Sequence, residues 1–159
     1  MNFVKNIEEL CMIRNELKAK NKKVVFTNGV FDILHAGHVD YLSKARELGD
    51  VLIVGVNSDA SVKRIKGDLR PVVPQQERAF IISSLKPVDF VTIFEEDTPL
   101  EVINKLIPDV LVKGADWSKD KIVGADIVEA NGGSVETIKF VTQTSTTNII
   151  KAVLEKYKE

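Results

Sequence analysis

The sequence predicts an α/β fold, a single doubly wound domain with a five-stranded parallel sheet, and three observations carry this prediction. Short β-branched segments alternate with segments of helical spacing along the chain. Most β-branched segments lack polar alternation, which is typical of strands covered on both faces. The chain has 159 residues, of which 44% are hydrophobic, and this suits one sizeable core. We therefore expect residues 1–159 to form one domain with right-handed crossovers.

The predicted elements alternate in order along the chain after a first helix. Strands are expected at residues 23–27, 50–56, 89–94, 108–114 and 134–140. Helices are expected at about residues 7–20, 36–48, 75–85, 99–106, 121–131 and 145–158. In such sheets, ligands bind beyond the carboxyl ends of the strands, where the strand order reverses, so that edge is the expected place for a site.

Local signals support several boundaries. Thr98, Pro99 and Glu101 have the spacing of a capping box with proline at the first helical position. Gly49 follows its helix where a C′ glycine is usual. The polar, basic stretch of residues 63–76 has neither strand nor helix signals, and we expect it to be a mobile flap.

Composition excludes several classes of function. Lys and Arg total 22 against 23 Asp and Glu, a net charge of −1, which argues against a general nucleic-acid binder. Cys11 is the only cysteine and cannot form an intrachain disulfide, which fits a reducing compartment. Residues 1–20 lack the apolar core of a signal peptide, and the apolar run 51–56 is too short to span a bilayer. We expect a cytoplasmic protein that binds no membrane.

Both histidines of the chain lie in the stretch FTNGVFDILHAGHVDYL, between a predicted strand and a predicted helix. His35 and His38 are three residues apart, so they share one face of the first helical turn. That turn has unpaired N–H groups and the positive end of the helix dipole, which favour anions. Gly29 and Gly37 would let a ligand approach the backbone. The pair therefore predicts a phosphate site in which an approaching polyphosphate draws either ring into its cationic form.

The two histidines have two other interpretations. A histidine beside an apolar strand is often a hydrogen-bonded structural residue, although two flanked by glycines make this less persuasive. A zinc pair fits less well, because no glutamate lies between His35 and His38 and no third Cys or His ligand is near.

The segment GVFDILHAGH resembles the signature of the cytidylyltransferase-like nucleotidyltransferases, a Rossmann-like fold of the HxGH type. Further segments are similar, in the same order, to the adenylyltransferase domain of bacterial ADP-heptose synthases, which activate heptose 1-phosphate for lipopolysaccharide or other surface glycans. They are GVNSDASVKRIKG, RPVVPQQERAFIISSL, VDFVTIFEEDTPLEVINKLIPDVLVKGADW, VGADIVEANGG and STTNII. The resemblance implies transfer of an adenylyl group from ATP to a heptose 1-phosphate, with release of pyrophosphate.

The resemblance also assigns the residues of the histidine turn. His35 and His38 would stabilise the transition state and the departing pyrophosphate. The same pocket would be lined by Thr27 and by the backbone of Gly29, Val30 and Phe31. Asp32 would orient the turn or a metal-bound water. Core packing for Phe31 and a local side-chain hydrogen bond for Asp32 are the structural alternatives.

Three further groups are assigned by similarity. Three hydroxyls at the start of the last helix would hold the triphosphate. They belong to Ser145, Thr146 and Thr147, and the structural alternative, an ordinary N-cap, accounts for one hydroxyl but not for three. In glycerol-phosphate cytidylyltransferases the comparable stretch has an arginine and a glycine that are absent here. The ribose or base would be contacted by Lys113, Gly114 and Asp116, with Trp117 bordering the base. The structural alternatives are a strand-ending turn for Gly114 and Asp116, a solvated side chain for Lys113 and closure of the core by Trp117. Acceptor phosphate would be bound by Lys66 in a catalytic role, by Arg78, and by Lys63, unless they are merely solvated.

The resemblance implies ATP as co-substrate and Mg²⁺ held mainly by the ATP phosphates, since no carboxylate cage is visible. Two alternative functions stay open at this point. One is a cytidylyltransferase for glycerol 3-phosphate or a related alcohol phosphate, and the other is a nucleotide-sensing module without turnover. Because sheets of this type have edge strands that often pair, we also expect a homodimer.

Overall fold

The computed structural model describes residues 4–115, 118, 121–139 and 144–158 and confirms the predicted α/β class. Five parallel strands form one sheet in the order β3-β2-β1-β4-β5. The strands are β1 Val24–Gly29, β2 Val51–Asn57, β3 Phe90–Phe94, β4 Val110–Gly114 and β5 Ser134–Ile138. The five predicted strand positions are confirmed to within a few residues.

Helices cover both faces of this sheet. They are α1 Ile7–Ala19, α2 Ala36–Arg46, α3 Asp59–Lys66, α4 Gln75–Ser83, α5 Leu100–Leu106, α6 Ala125–Ala130 and α7 Thr146–Lys156. One core cluster joins α2 and α4 to the sheet, and a second joins α1, α5 and α6 to its other face. Neighbouring strand residues such as Val24 and Val25 therefore enter opposite cores. Within the described ranges, no helix has the length and apolar character needed to cross a bilayer.

The strand order reverses between β1 and β4, which creates the expected crevice. The chain runs from β1 outward to β3 on one side and then returns to β4 and β5 on the other. Strands β1 and β2 pair from Val24 to Gly29, whereas β1 and β4 pair only at Val25 and Phe26. The strands β1 and β4 thus separate toward their carboxyl ends, where a ligand can enter.

The polar stretch of residues 63–76 differs from its prediction as a flap. Its first four residues end α3, its last two begin α4, and only residues 67–74 form a loop. Ser58 caps α3 by accepting a hydrogen bond from the Ser61 N–H at 3.1 Å. Helix α3 has eight mostly polar residues, of which only Ser61 and Val62 are buried, and it is too short for its apolar spacing to predict a helix.

Both predicted caps are wrong in detail. Helix α5 begins at Leu100 after Pro99, with no side-chain hydrogen bond at its cap. Helix α2 ends at Arg46, and Gly49 has no left-handed conformation. Gly49 is instead required by packing, because a Cβ there would lie 2.7 Å from Val25 Cγ2 and 2.8 Å from the Lys23 carbonyl oxygen.

Helix α7 is attached differently from the other helices. None of its residues is buried, and Val153, Leu154 and Tyr157 are 50%, 59% and 80% exposed. Its N-terminus reaches the rest of the domain through the Thr146 hydroxyl, which donates to the Ile33 carbonyl at 3.5 Å.

Candidate active site

The histidine turn begins where β1 ends, in the crevice between β1 and β4. Phe31 adopts a left-handed backbone conformation, with φ of 46°, and its side chain is buried. A Cβ on Gly29 would lie 3.0 Å from Phe31 Cε2, so the glycine makes room for the aromatic ring. Gly29 is therefore explained by packing within the turn, in addition to the ligand access that the sequence suggested.

His35 and His38 lie together at the start of α2. His35 is the N-cap residue, and no side chain caps this helix end. The two imidazole rings stack with centroids 3.8 Å apart and planes 26° apart. The Phe31 ring meets His38 edge-on, with centroids 5.3 Å apart. The first helical turn thus presents two rings and uncapped N–H groups to the crevice.

The surroundings keep both histidines neutral in the absence of a ligand. Burial and the neighbouring His35 lower the pKa of His38 to about 4, and burial lowers the pKa of His35. The Nδ1 atoms of both rings are buried and have no hydrogen-bond partner among the described residues. An unsatisfied buried polar atom costs roughly 1–3 kcal/mol, so this pair suits a ligand that supplies hydrogen-bonding oxygens.

Two cavities flank the end of β1. We call the first the histidine cavity; it has a volume of about 140 Å³ and is lined by Asn28, Gly29, Val30, Phe31, His38 and Tyr41. We call the second the lysine cavity; it has a volume of about 310 Å³, and its wall includes Asn57, Lys66, Asp97, Thr98 and Lys113. Asn28, Gly29 and Val30 line both, so the cavities meet at this strand end.

The lysine cavity brings together residues that are distant in sequence. Lys66 at the end of α3 is exposed, and Lys113 near the end of β4 donates a hydrogen bond to the Asn28 side chain. Sequence reasoning missed Asn28 and Asn57. Both lie at the carboxyl ends of strands, and that position is a signal that could have found them.

Thr27 was predicted to line the pocket, but the structure places its side chain in the protein interior. Its side chain is fully buried, and its hydroxyl pairs with the Tyr41 hydroxyl at 2.7 Å and donates to the Val112 carbonyl at 2.9 Å. Thr27 therefore joins β1 to α2 and β4 and lines neither cavity.

Asp32 holds the loop of residues 67–74. Its buried carboxylate accepts hydrogen bonds from Arg70 Nε at 2.6 Å and from the N–H groups of Val72 and Val73, each at 2.9 Å. Although burial raises the pKa of this carboxyl, the Val73, Val72 and Arg70 donors hold it below its usual value. The expected local hydrogen bond is wrong, since the partners lie about forty residues away.

Arg78 was predicted to bind the acceptor phosphate, and its placement argues against this. Its side chain is 0% exposed. The guanidinium donates to the carbonyl oxygens of Val30, Val73 and Asn57 at 2.6, 2.9 and 2.8 Å. It also pairs with Asp59 at 2.8 Å. Because these donors are already used inside the protein, we leave Arg78 out of the proposed phosphate site.

The remaining predicted residues are distributed around the crevice. Gly114 ends β4 and is buried, and Lys63 is exposed on α3. Ser145 is the N-cap of α7, accepting from Asn148 N–H at 3.1 Å, and Thr147 is exposed. Asp116 and Trp117 lie outside the described residues.

In residues 4–115, 118, 121–139 and 144–158, no three His, Cys, Asp or Glu side chains group as a metal site.

Comparisons with known proteins agree with this geometry. The profile of the cytidylyltransferase-like family matches residues 26–152. The Bifunctional protein HldE of Pelobacter propionicus is 54% identical over 154 residues, which are 97% of this chain and 32% of that protein. The chain therefore spans about a third of the length of this relative.

Two solved structures are also similar. The lipopolysaccharide core biosynthesis protein from Thermoplasma volcanium has a TM-score of 0.63 and 30% identity, over 77% of this chain and 99% of that one. The pantoate-beta-alanine ligase from Francisella tularensis, complexed with beta-gamma ATP and beta-alanine, has a TM-score of 0.62 and 17% identity, over 96% of this chain and 77% of that one. The second likeness concerns the fold alone.

Proposed function

Because this chain belongs to the cytidylyltransferase-like family of nucleotidyltransferases, we propose that it transfers the adenylyl group of ATP to the phosphate of a heptose 1-phosphate. The products are ADP-heptose and pyrophosphate. One observation carries the proposal: two neutral, stacked imidazoles, whose Nδ1 atoms have no partner among the described residues, lie at an uncapped helix N-terminus beside the strand-order reversal. Phosphate oxygens would supply the hydrogen-bond partners that the groups of this site need.

The proposed reaction is an in-line displacement at the α-phosphorus. An oxygen of the acceptor phosphate forms the new P–O bond, and the bond to the β-phosphate breaks, so that pyrophosphate leaves with the electron pair. The acceptor has a second pKa near 6 and is mostly dianionic at neutral pH, so it needs no strong general base. Catalysis then depends on alignment and on stabilising the charge of the leaving group.

In this mechanism the histidines act on the leaving pyrophosphate. Their low pKa values keep them neutral before ATP binds, and the phosphate charges favour uptake of a proton. The rings then hydrogen-bond the phosphates as cations, and this strengthens as negative charge grows on the bridging oxygen. Ser145, Thr146 and Thr147 would hold the tail of the triphosphate from the other side, because Thr146 already contacts Ile33 beside the turn.

The lysine cavity is the proposed place for the ribose and the acceptor. Lys66 at its rim would bind the acceptor phosphate, and Lys113, with Gly114 and Asp116 after it, would lie beside the nucleoside. Mg²⁺ would enter on the ATP phosphates and neutralise part of their charge. Since no metal-binding group of three forms among the described residues, we propose no protein cage for this ion.

The sugar substrate is proposed from similarity to known proteins. The motifs occur in the same order as in the adenylyltransferase domain of ADP-heptose synthases. The similar protein from Thermoplasma volcanium is a lipopolysaccharide core biosynthesis protein. A single domain over residues 1–159, a homodimer and a cytoplasmic location are parts of the same proposal. The exposed apolar side chains of α7 support self-association, and light scattering after size-exclusion chromatography tests it.

Pyrophosphate release measured with ATP or CTP against a panel of sugar and polyol phosphates tests this function. We expect ATP with a heptose 1-phosphate to give the highest kcat/KM. The double variant H35N/H38N should lose turnover, while the exposed control variant Lys156→Gln should retain it. Activity with CTP and glycerol 3-phosphate only would replace the heptose assignment, and nucleotide binding without pyrophosphate release in the whole panel would favour a sensing module.

A further inference from the structure

A third cavity, which we call the basic cavity, lies at the amino ends of β1, β4 and β5. Its volume is about 470 Å³, larger than either cavity at the carboxyl edge. Its charged lining residues are Arg14, Lys18, Lys22, Lys23 and Asp109. The length of β1 separates it from the histidine turn by roughly 16 Å. None of the described residues assigned to the proposed reaction lines it.

The lining concentrates positive charge in a chain that is nearly neutral. Four cationic side chains and one carboxylate give the cavity a formal charge of +3, whereas the whole chain has −1. Asp109 cannot neutralise the others, because its oxygens accept from Arg14 Nη2 at 2.8 Å and from the Val24 N–H at 2.7 Å. Lys22 pairs with Asp50 at 3.1 Å, but both side chains are about half exposed.

The ammonium groups of two lysines in this cavity are available to bind a ligand. The side chains of Lys18 and Lys23 form no ion pair with any residue that the structure describes. Both residues are exposed at the rim, so a ligand can meet them without unfolding any element.

Arg14 supplies an independent observation in the same cavity. Its side chain is only 7% exposed, and it donates from Nε to the Ile107 carbonyl at 3.1 Å and from Nη2 to Asp109. Its Nη1 atom is buried and has no partner within the described part of the chain. A guanidinium is always charged, so an unused donor in the wall of this cavity favours an anion with several oxygens.

We propose that the basic cavity binds a small, multiply charged phosphate, of the class of inorganic polyphosphates and nucleoside polyphosphates. Phosphate oxygens accept hydrogen bonds from guanidinium and ammonium groups at once, and several negative charges are needed to match a cavity of +3. The volume lies within the usual range for small-ligand sites, about 300–1,000 Å³. This site is independent of the proposed function, because it lies at the opposite edge of the sheet.

Titration of the ¹⁵N-labelled protein with inorganic tripolyphosphate, followed by amide chemical shifts at about 0.15 M salt, tests the proposal. Gly132, Gly133 and Ser134 line the basic cavity, and Gly29 and Val30 line the histidine cavity, so the two sites have separate reporters. We expect saturating shifts at the first group. In K18Q/K23Q, this binding should weaken about tenfold or more, because two charges facing a polyanion are lost.

The control variant K156Q/K158Q removes the same charge from exposed positions on and after α7 and should leave the Gly132 titration unchanged. The variant H35N/H38N should change the tripolyphosphate-induced shifts only at Gly29 and Val30. A failure of the proposed active site would therefore be seen separately from a failure of the basic cavity to bind. Linear, unsaturated shifts at Gly132 would overturn the proposal. So would an equal loss in both lysine variants, or an equal response to sulfate, which indicates an adventitious ion only.

Discussion

Two groups of polar side chains surround the end of β1, and they differ in whether their hydrogen bonds are already used. Arg78 and Asp32 are buried, and their charged groups are occupied by backbone carbonyls, backbone N–H groups and ion pairs. His35 and His38 have buried nitrogens without partners in the described chain. Satisfied groups hold a structure together, whereas unsatisfied ones mark where a ligand completes it. Charge alone therefore does not distinguish scaffold from site.

The largest expected effect concerns the scaffold. The substitution Arg78→Gln should lower the free energy of unfolding by about 3–5 kcal/mol, because it leaves three backbone carbonyls and Asp59 without the buried guanidinium that donates to them. Urea denaturation measures the loss. Arg64→Gln is the matched control, since Arg64 pairs with Asp97 at the surface and should contribute about 1 kcal/mol or less.

Similar stability of these two arginine variants would contradict the scaffold role. If Arg78→Gln kept the stability of the parent protein but raised KM for the acceptor, the original prediction of a phosphate-binding arginine would be restored.

The next effect concerns the site. His38→Asn should reduce kcat about 10²–10³-fold, the usual cost of removing one donor to a developing oxyanion. Its free energy of unfolding should change by less than about 1 kcal/mol, since the Nδ1 atom of the ring makes no hydrogen bond to any described residue that would be lost. Steady-state pyrophosphate release and urea denaturation measure the two quantities. A variant that unfolds readily but retains kcat would show that His38 belongs to the scaffold.

Asp32 belongs to the group whose hydrogen bonds are already used, and its substitution tests the loop of residues 67–74. In Asp32→Asn, an amide N–H would face the donors of Arg70, Val72 and Val73, so stability should fall by about 1–3 kcal/mol. Trypsin should then cleave faster after Lys66, at the start of the loop. Asp68→Asn is the control, because Asp68 is exposed in the same loop. Equal cleavage of both variants would mean that Asp32 does not hold the loop.

The smallest expected effect is a pH dependence. The pKa of His38 is lowered from 6.5 to about 4 on folding, so between these values the unfolded chain binds a proton that the folded chain does not. Stability should therefore fall as pH decreases through this window, by about 1 kcal/mol because the ring is partly exposed. Thermal unfolding from pH 7 to 4 measures it. His38→Asn should flatten the dependence, and an unchanged slope would contradict the assignment.

The sequence was most informative where the physical pattern is local. Continuous apolar runs predicted the parallel strands because a strand covered on both faces needs apolar residues throughout. The histidine turn was predicted because strand, glycine and helix follow one another within a short stretch. Helix α3 was missed because it has only eight residues, most of them polar, and so is shorter than the segments over which helical periodicity becomes clear.

The roles of single polar residues were least predictable. Arg78 and Lys66 are both basic residues near the same loop in sequence, yet one is fully buried and the other exposed. The difference depends on carbonyl groups of Val30, Asn57 and Val73, which come together only after folding. Thr27 is a similar case, since its partners Tyr41 and Val112 lie on two other elements.

The weak attachment of α7 has a consequence for the proposed binding of ATP. An isolated helix of 11 residues is marginal in water, and this one buries no side chain. Its amide hydrogens should therefore exchange with deuterium sooner than those of β1 and should become protected when a triphosphate engages residues 145–147. Part of the binding free energy then goes into ordering this helix, so a change that stiffens α7 far from the crevice should tighten nucleotide affinity.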